Sequence, residues 1–156
     1  CAIVAAINPY AIVLGAAPLY LNYSVLRLPR LERQAKTDAK TGLLHARQFT
    51  LQAEQELARA ARLGRPLTLV MADLDLLRDI NNTHGHLAGD IAIKTVADVI
   101  RVCARADDRV ARFGGEEFVI ILPDTPLKNA ITVAERVRTT VQVHPFVYDE
   151  NKTEIF

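Results

Sequence analysis

This sequence has few cysteines and little net charge. Its only cysteines among 156 residues are Cys1 and Cys103, which form neither a disulfide framework nor a metal-ligand spacing. A reduced, cytosolic setting is therefore the default for the globular part. The formal net charge is only +1, so charge indicates no class of partner, and internal repeats are absent as well. Any function must be read from local motifs.

Charged residues are missing from the first part of the chain. Residues 2–26 contain none, and this stretch exceeds the ~20 residues that span a bilayer core. Basic residues follow at once, as is typical of a cytoplasmic flank. We therefore expect a transmembrane helix over residues 1–26, an inner-membrane location, and the following domain in the cytoplasm. A buried core helix or two short apolar segments are the alternatives, because Pro9 and Pro18 would each kink a helix.

The rest of the chain divides into a short linker and one domain. Leu28, Leu31 and Ala35 recur at helical spacing, so we expect a linker helix over residues 27–37, with a solvated linker as the alternative. Helical and strand patterns then alternate, which is typical of an α/β domain. The sequence lacks an initial methionine and stops inside what reads as a new strand. We therefore expect residues 38–156 to be a domain that is incomplete at its C-terminus.

Hydrophobic periodicity predicts the elements of this domain. Apolar runs predict a central strand over Leu67–Ala72 and a strand buried on both faces over Phe118–Leu122. Alternation over Arg109–Phe113 predicts a half-buried strand. Three amphipathic helices are predicted from the following apolar faces: Phe49, Ala53, Leu57, Ala60 and Ala61, ended by Gly64; Ile93, Val96, Ala97, Ile100 and Cys103; and Ala130, Val133, Ala134 and Val137, opened by Thr125 as N-cap and Pro126.

Acidic residues lie where the predicted strands end. Asp73 ends the first strand and Asp75 follows, and carboxylates at such a position can bind a hard cation. Gly114 and Gly115 are expected to supply the positive φ angles of a two-residue hairpin. If the strands are neighbours, Glu116 approaches Asp73, and a divalent ion relieves the repulsion between the two carboxylates. A plain surface turn, and capping of the next helix by Asp73 and Asp75, are the alternatives.

Several motifs follow one another along the domain. Asp38–Leu43 reads Asp-Ala-Lys-Thr-Gly-Leu, residues 73–82 begin Asp-Leu-Asp, Gly85-His86 and Gly89-Asp90 come next, and residues 114–118 read Gly-Gly-Glu-Glu-Phe. In this order they resemble the motifs of the GGDEF family, the diguanylate cyclases that condense two GTP molecules into cyclic di-GMP. Four positions depart from the family pattern: Lys40 for leucine, Leu77 for phenylalanine, Arg78 for lysine and Asn82 for aspartate.

The resemblance implies a fold, an activity and partners. The fold is α/β (α+β), a palm-type, nucleotide-cyclase-like sandwich with a central, mostly antiparallel sheet flanked by helices. The activity is that of a diguanylate cyclase, a nucleotidyltransferase of bacterial second-messenger signalling, which releases pyrophosphate and uses Mg²⁺ or Mn²⁺, two ions per active site. Because one product needs two GTP molecules face to face, a homodimer is implied for catalysis. The expected partners are GTP, cyclic di-GMP and the membrane, with no nucleic acid.

The resemblance also assigns catalytic and metal-binding roles to the two acidic clusters. Asp73, the Leu74 carbonyl and Glu116 are expected to hold the metal ions. Glu116 is also expected to help deprotonate the ribose 3′-hydroxyl that attacks the α-phosphate of the second GTP. Arg78, the other catalytic residue, offsets charge on the phosphates, although a guanidinium and an ammonium are not interchangeable.

Substrate binding is assigned to the segment between the clusters and to the hairpin. Asn81 and Asp90 are expected to read guanine, because one carboxylate accepts both N1–H and N2–H, a donor pair that adenine lacks. His86 is expected to line the base pocket or brace its loop. Capping of the helix from Ile91 is the alternative role of Asp90. The full substrate-binding set is Asn81, His86, Asp90, Gly114, Gly115 and Glu117.

Arg105 and Asp108 match the family's Arg-x-x-Asp site for inhibition by the product. A guanidinium pairs with phosphate or stacks on a base, and a carboxylate accepts from a base edge. A charged loop is the alternative.

Two rival functions are a non-catalytic receptor for GTP or cyclic di-GMP, and another metal-dependent cyclase or polymerase-like enzyme. The intact Asp73 and the complete signature argue against the first. Asn81 and Asp90, with Arg105, argue against the second.

Overall fold

The computed structural model describes residues 36–147 and 154–155. The predicted transmembrane helix (1–26) and nearly all of the predicted linker helix (27–37) lie outside the described residues. In the described part, no helix is long and apolar enough to cross a membrane, because its two longest helices carry charged residues along their length. On this finding the prediction of an inner-membrane location is wrong.

Helices and short strands alternate along the described chain. Their order is β1 (Leu44–His45), α1 (Ala46–Leu63), β2 (Leu67–Asp73), α2 (Leu77–His84), α3 (His86–Cys103), β3 (Arg109–Arg112), β4 (Glu117–Pro123), α4 (Leu127–Val143), β5 (Phe146–Val147) and β6 (Glu154–Ile155).

One four-stranded sheet organises the domain, with the strand order β1-β3-β4-β2. β3 and β4 are antiparallel and place Arg112 opposite Phe118. β2 is antiparallel to β4 and places Asp73 opposite Glu117, whereas β1 runs parallel to β3. β5 and β6 pair separately. The predicted α/β class with a central, mostly antiparallel sheet is confirmed.

The core lies on both faces of β4, whose residues 118–122 are all buried. On one face, Phe118 and Ile120 pack with Ile100 of α3 and the inner side of α4. On the other face, Val119 and Ile121 pack with Phe49 of α1 and with β3. Because alternate β4 side chains point to opposite faces, two helical layers cover the strand. The prediction of a strand buried on both faces is confirmed.

Two predicted burial patterns are wrong. β2 is an edge strand among the described strands. Its Leu69 and Met71 are 56% and 59% exposed, although Leu67 on the same face packs against the cluster that contains Phe49 of α1. On α1, Leu57 is 60% exposed while Glu56 is buried. Glu56 is held there by an ion pair with Arg109 of β3 at 3.2 Å, a long-range contact that helical periodicity does not reveal.

One of the two predicted helix ends is right, and the other is wrong by one residue. Gly64 ends α1 in the left-handed conformation with φ of 62°, which glycine adopts without steric cost. At the start of α4 the N-cap position belongs to Pro126 rather than to Thr125. The Thr125 hydroxyl donates instead to the Pro123 carbonyl at 2.8 Å, so it stabilises the turn that precedes the helix.

Candidate functional site

The ends of β2 and β4 bring the two predicted acidic clusters together. Asp73, the last residue of β2, lies opposite Glu117, and the Leu74 N–H donates to the Glu116 carbonyl at 3.1 Å. The strand register and this hydrogen bond thus place Asp73, Leu74 and Glu116 at one end of the sheet. We call Asp73, Leu74 and Glu116 the hairpin site.

The β3–β4 connection is not the two-residue turn that we expected. β3 ends at Arg112 and β4 begins only at Glu117, and neither Gly114 nor Gly115 has a φ in the left-handed region. The N–H groups of Phe113 and Gly114 both donate to the Glu117 carbonyl, at 2.8 and 3.4 Å, and close this longer loop. A Cβ at Gly114 would overlap the end of the flexible Glu117 side chain, which would have to move aside.

Arg112 is a residue of the site that sequence reasoning missed. Its Nε and Nη2 donate to the Gly115 carbonyl at 3.2 and 2.7 Å, and its Nη1 lies 3.4 Å from both carboxylate oxygens of Asp38. Arg112 therefore ties the hairpin loop to the loop that carries Asp38. The available signal was a charged residue in a half-buried strand, which needs a partner when it is desolvated.

Asp38 is the organising residue of the Asp38–Leu43 loop. Its carboxylate accepts from both the N–H and the hydroxyl of Thr41, at 2.9 and 2.8 Å. Burial raises the pKa of Asp38, but these hydrogen bonds and the Arg112 guanidinium outweigh it, and the pKa lies below its ordinary value of 3.8. The ionised carboxylate is thus the form that holds the loop together.

A second group of predicted residues meets where α2 and α3 join. The Asn81 side chain packs on Gly89, where a Cβ would overlap its amide. Asp90 follows directly on the same helix and stays partly exposed. Because α3 begins at His86, Asp90 lies in its second turn, and the alternative role of Asp90 as a helix cap is wrong.

Lys40 adds a cation to this group. Its Nζ lies 2.5 Å from Oδ1 of Asp90, although the two residues are 50 positions apart in the sequence. Sequence reasoning noted Lys40 only as a departure from leucine in the opening motif. We call Lys40, Asn81, Gly89 and Asp90 the loop pocket.

The segment between the hairpin site and α2 has an unusual backbone. Leu76 has a φ of 62°, a left-handed conformation that is uncommon for a bulky residue. Leu76 occupies the N-cap position of α2, and no side-chain cap hydrogen bond forms there, so capping by Asp73 and Asp75 is wrong. Arg78 lies in the first turn of α2 and His86 begins α3, and both side chains are exposed.

Arg105 and Asp108 share one turn between α3 and β3. The Asp108 carboxylate accepts from the Arg105 N–H at 2.7 Å, and the Asp108 N–H donates to the Arg105 carbonyl at 3.1 Å. A groove of about 470 Å³ lies beside this turn, and Arg101 and Arg109 also line it. Two of these guanidinium groups already pair with carboxylates, Arg101 with Asp98 and Arg109 with Glu56. Arg105 and Asp108 are therefore the groove residues to consider for ligand binding.

Comparison with known proteins identifies the family of this chain. The family profile described as "Diguanylate cyclase, GGDEF domain" matches residues 35–156. The chain belongs to the GGDEF family. Diguanylate cyclase DgcP of Pseudomonas aeruginosa is 42% identical over 114 residues, which are 73% of this chain and 17% of that protein. The curated relatives compared are matched over 17% to 29% of their own length, so this chain spans less than a third of each.

Solved GGDEF structures have the same fold. The GGDEF domain of DgcB from Caulobacter crescentus, in complex with c-di-GMP, has a TM-score of 0.74 and 30% identity, covering 78% of this chain and 71% of that one. The active GGEEF domain of a diguanylate cyclase from Vibrio cholerae has a TM-score of 0.66 and 32% identity, covering 73% and 72%. The chain is therefore a member of a family of nucleotidyl cyclases.

The hairpin site of this GGDEF domain fits a divalent metal ion of the kind that diguanylate cyclases generally use. Two carboxylates and a carbonyl are hard oxygen donors, which Mg²⁺ prefers. In the described residues, no group of three or more His, Cys, Asp or Glu side chains could hold a metal ion. In nucleotide enzymes, triphosphate and water oxygens complete the coordination shell of such an ion.

Proposed function

We propose that this GGDEF domain is a diguanylate cyclase, which condenses two GTP molecules into cyclic di-GMP with release of pyrophosphate and acts in second-messenger signalling. The observation that carries the proposal is the register of β2 and β4, which joins Asp73, Leu74 and Glu116 beside an intact Gly-Gly-Glu-Glu-Phe loop. The similar Vibrio cholerae domain is an active GGEEF domain of a diguanylate cyclase, which supports the proposal.

In this proposal Asp73, the Leu74 carbonyl and Glu116 hold two divalent ions, Mg²⁺ or Mn²⁺. When bound, these ions neutralise phosphate charge and stabilise the attacking and leaving oxygens. The Glu116 carboxylate accepts the proton of the ribose 3′-hydroxyl, and exposed Arg78 offsets the charge that develops on the phosphates. Gly114, Gly115 and Glu117 shape the loop against which the triphosphate lies.

The loop pocket supplies the base specificity. The Asp90 carboxylate accepts N1–H and N2–H of guanine, and Asn81, fixed against Gly89, presents its amide to the same base. His86 borders the pocket at the start of α3. Adenine lacks this donor pair and would leave Asp90 incompletely paired, so ATP is rejected.

Two further parts of the proposal concern assembly and regulation. Each active site binds one GTP, so joining two requires a second copy of the domain related by a two-fold axis. Arg105 and Asp108 bind cyclic di-GMP as an inhibitory product. The groove beside them, and the complex of the similar DgcB domain with c-di-GMP, support this site.

The test is to incubate the full-length protein with GTP and MgCl₂ and to follow cyclic di-GMP by chromatography. Glu116→Gln should lower the rate at least about 100-fold, the range of a lost general base. Glu135→Gln on α4, which removes a carboxylate that pairs with Arg138 on the surface, is the matched control and should keep the rate.

The same experiment separates the enzyme from the receptor. If the wild-type protein makes no product while it still binds GTP or cyclic di-GMP, the cyclase proposal is wrong and a receptor role takes its place. If Glu116→Gln is as active as wild type, the hairpin site is not the catalytic centre.

A further inference from the structure

The ion pair between Lys40 and Asp90 calls for a functional explanation. Nζ of Lys40 lies 2.5 Å from Oδ1 of Asp90, and the two side chains are 51% and 43% exposed. Exposed pairs of this kind contribute little to stability. The pair is also open to solvent, so a ligand can reach both charges at once.

Hydrogen bonds hold the backbone around Lys40 in place, so the position of its side chain near Asp90 is set by the fold of the loop. On one side, Asp38 donates its N–H to the Leu43 carbonyl at 2.7 Å and accepts the Gly42 N–H at 2.8 Å. Gly42 closes this turn with a φ of 68°, which favours glycine. The Thr41 carbonyl accepts from the Arg101 guanidinium of α3 at 2.7 Å, so the loop is bound to the helix that carries Asp90.

If a carboxylate alone binds guanine, two hydrogen-bond acceptors come to lie next to each other. When Asp90 accepts N1–H and N2–H, one of its oxygens comes to lie beside O6 of the base, which is also an acceptor. Two neighbouring acceptors repel each other unless a donor lies between them. The Lys40 ammonium has three donors and already contacts the Asp90 oxygen, so it can bridge the two.

We propose that Lys40 is a specificity-determining residue whose Nζ donates to O6 of guanine while it remains paired with Asp90. This inference rests on the proposed function, because it assumes that the loop pocket binds guanine. It adds a third point of recognition to the N1 and N2 edge. Adenine carries an amino donor at position 6, which would face the ammonium donor of Lys40. Lys40 therefore also disfavours the binding of adenine.

The test compares two ligands that differ only at position 6. GDP and 6-thio-GDP share N1–H and the 2-amino group, neither can release pyrophosphate, and sulfur is the weaker acceptor. Affinities are measured by titration calorimetry on the full-length protein with MgCl₂. Wild type should prefer GDP by about tenfold, the effect of one charge-assisted hydrogen bond, and Lys40→Met should lose most of that preference.

Two further variants separate recognition from general charge. Lys40→Arg keeps a donor and should retain a preference for GDP. Lys94→Met removes the same charge one helical turn from Asp90 on α3; it should weaken both ligands alike and leave their ratio unchanged. Thermal unfolding checks that every variant is folded.

The possible outcomes distinguish this inference from the proposed function. If Lys40→Met keeps the wild-type ratio, or binds GDP more tightly because Lys40 competes with the base for Asp90, the inference about Lys40 is wrong while the cyclase proposal stands. If wild type binds neither ligand and makes no product from GTP, the proposed function fails and this inference fails with it.

Discussion

The hairpin site and the loop pocket are built in different ways. Main-chain hydrogen bonds between neighbouring strands fix the hairpin site: the β2–β4 register sets Asp73 opposite Glu117 and bonds Leu74 to Glu116. Side chains from separate segments fix the loop pocket, through the Lys40–Asp90 ion pair and the packing of Asn81 on a glycine. The hairpin site therefore depends mainly on the backbone register, whereas the loop pocket depends on individual side chains.

Arg112 links the two regions, because it joins the hairpin loop to the loop that carries Lys40, so its removal should have the largest effect. Arg112→Ala breaks the bonds to the Gly115 carbonyl and to Asp38, and the lost charge-assisted hydrogen bonds should lower the free energy of unfolding by about 2 kcal/mol. A shifted hairpin loop should also slow product formation about 100-fold. Urea unfolding and the chromatographic assay measure the two effects.

Arg65→Ala is the matched control, since Arg65 pairs with Asp124 at 3.1 Å where both side chains are about half exposed. That loss should stay below about 1 kcal/mol, with activity retained. Equal losses in the two variants would show that Arg112 does not join the two regions.

A substitution in the loop pocket should separate binding from stability. Gly89→Ala would drive a Cβ into the Asn81 amide and displace the residue that is proposed to read guanine, so GDP affinity should fall about tenfold. Stability should change little, because alanine favours a helix interior by about 1 kcal/mol relative to glycine and this gain offsets the crowding. Calorimetry and urea unfolding on one preparation give both values.

The control for Gly89→Ala is Gly115→Ala, read by unfolding alone. A Cβ at Gly115 meets no atom within 4 Å, so stability should again be unchanged. If Gly89→Ala keeps full GDP affinity, Asn81 is not held in place by this contact.

Acid should loosen the loop that carries Lys40. The pKa of Asp38 is lowered in the folded protein, so its contribution to stability is present above the ordinary value of 3.8 and is lost as the pH falls through the folded pKa. The urea midpoint of wild type should therefore drop between pH 7 and about pH 3 by more than that of Asp38→Asn.

Asp98→Asn serves as the control for the acid experiment, because Asp98 is an exposed carboxylate that pairs with Arg101, and both residues lie on α3. This variant should show the wild-type pH dependence. If Asp38→Asn shows it too, the Asp38 carboxylate is not responsible for the acid sensitivity.

These two regions also differ in how far the sequence predicts them. The α/β class, the buried β4 strand and the proximity of Asp73 to Glu116 follow from apolar runs and acidic motifs. Lys40 against Asp90 and Arg112 against Asp38 join residues 50 and 74 positions apart, and no local periodicity encodes such contacts. The hairpin prediction failed because the β3–β4 connection is longer than two residues and neither Gly114 nor Gly115 has a positive φ, which the glycine pair alone does not reveal.

Leu76, between the two regions, should give the smallest effect and one of opposite sign. Its left-handed φ of 62° costs an L-residue about 1–2 kcal/mol, and its side chain is 70% exposed, so little burial is lost on truncation. Leu76→Gly should stabilise the fold by about 0.5 kcal/mol, since the entropy of an unfolded glycine cancels part of the relief. Leu57→Gly, similarly exposed but inside α1, should instead cost about 1 kcal/mol. If Leu76→Gly gains stability and loses GDP affinity, the strain at Leu76 sets the position of Asn81 relative to the hairpin site; a loss of stability would show that the conformation is not strained.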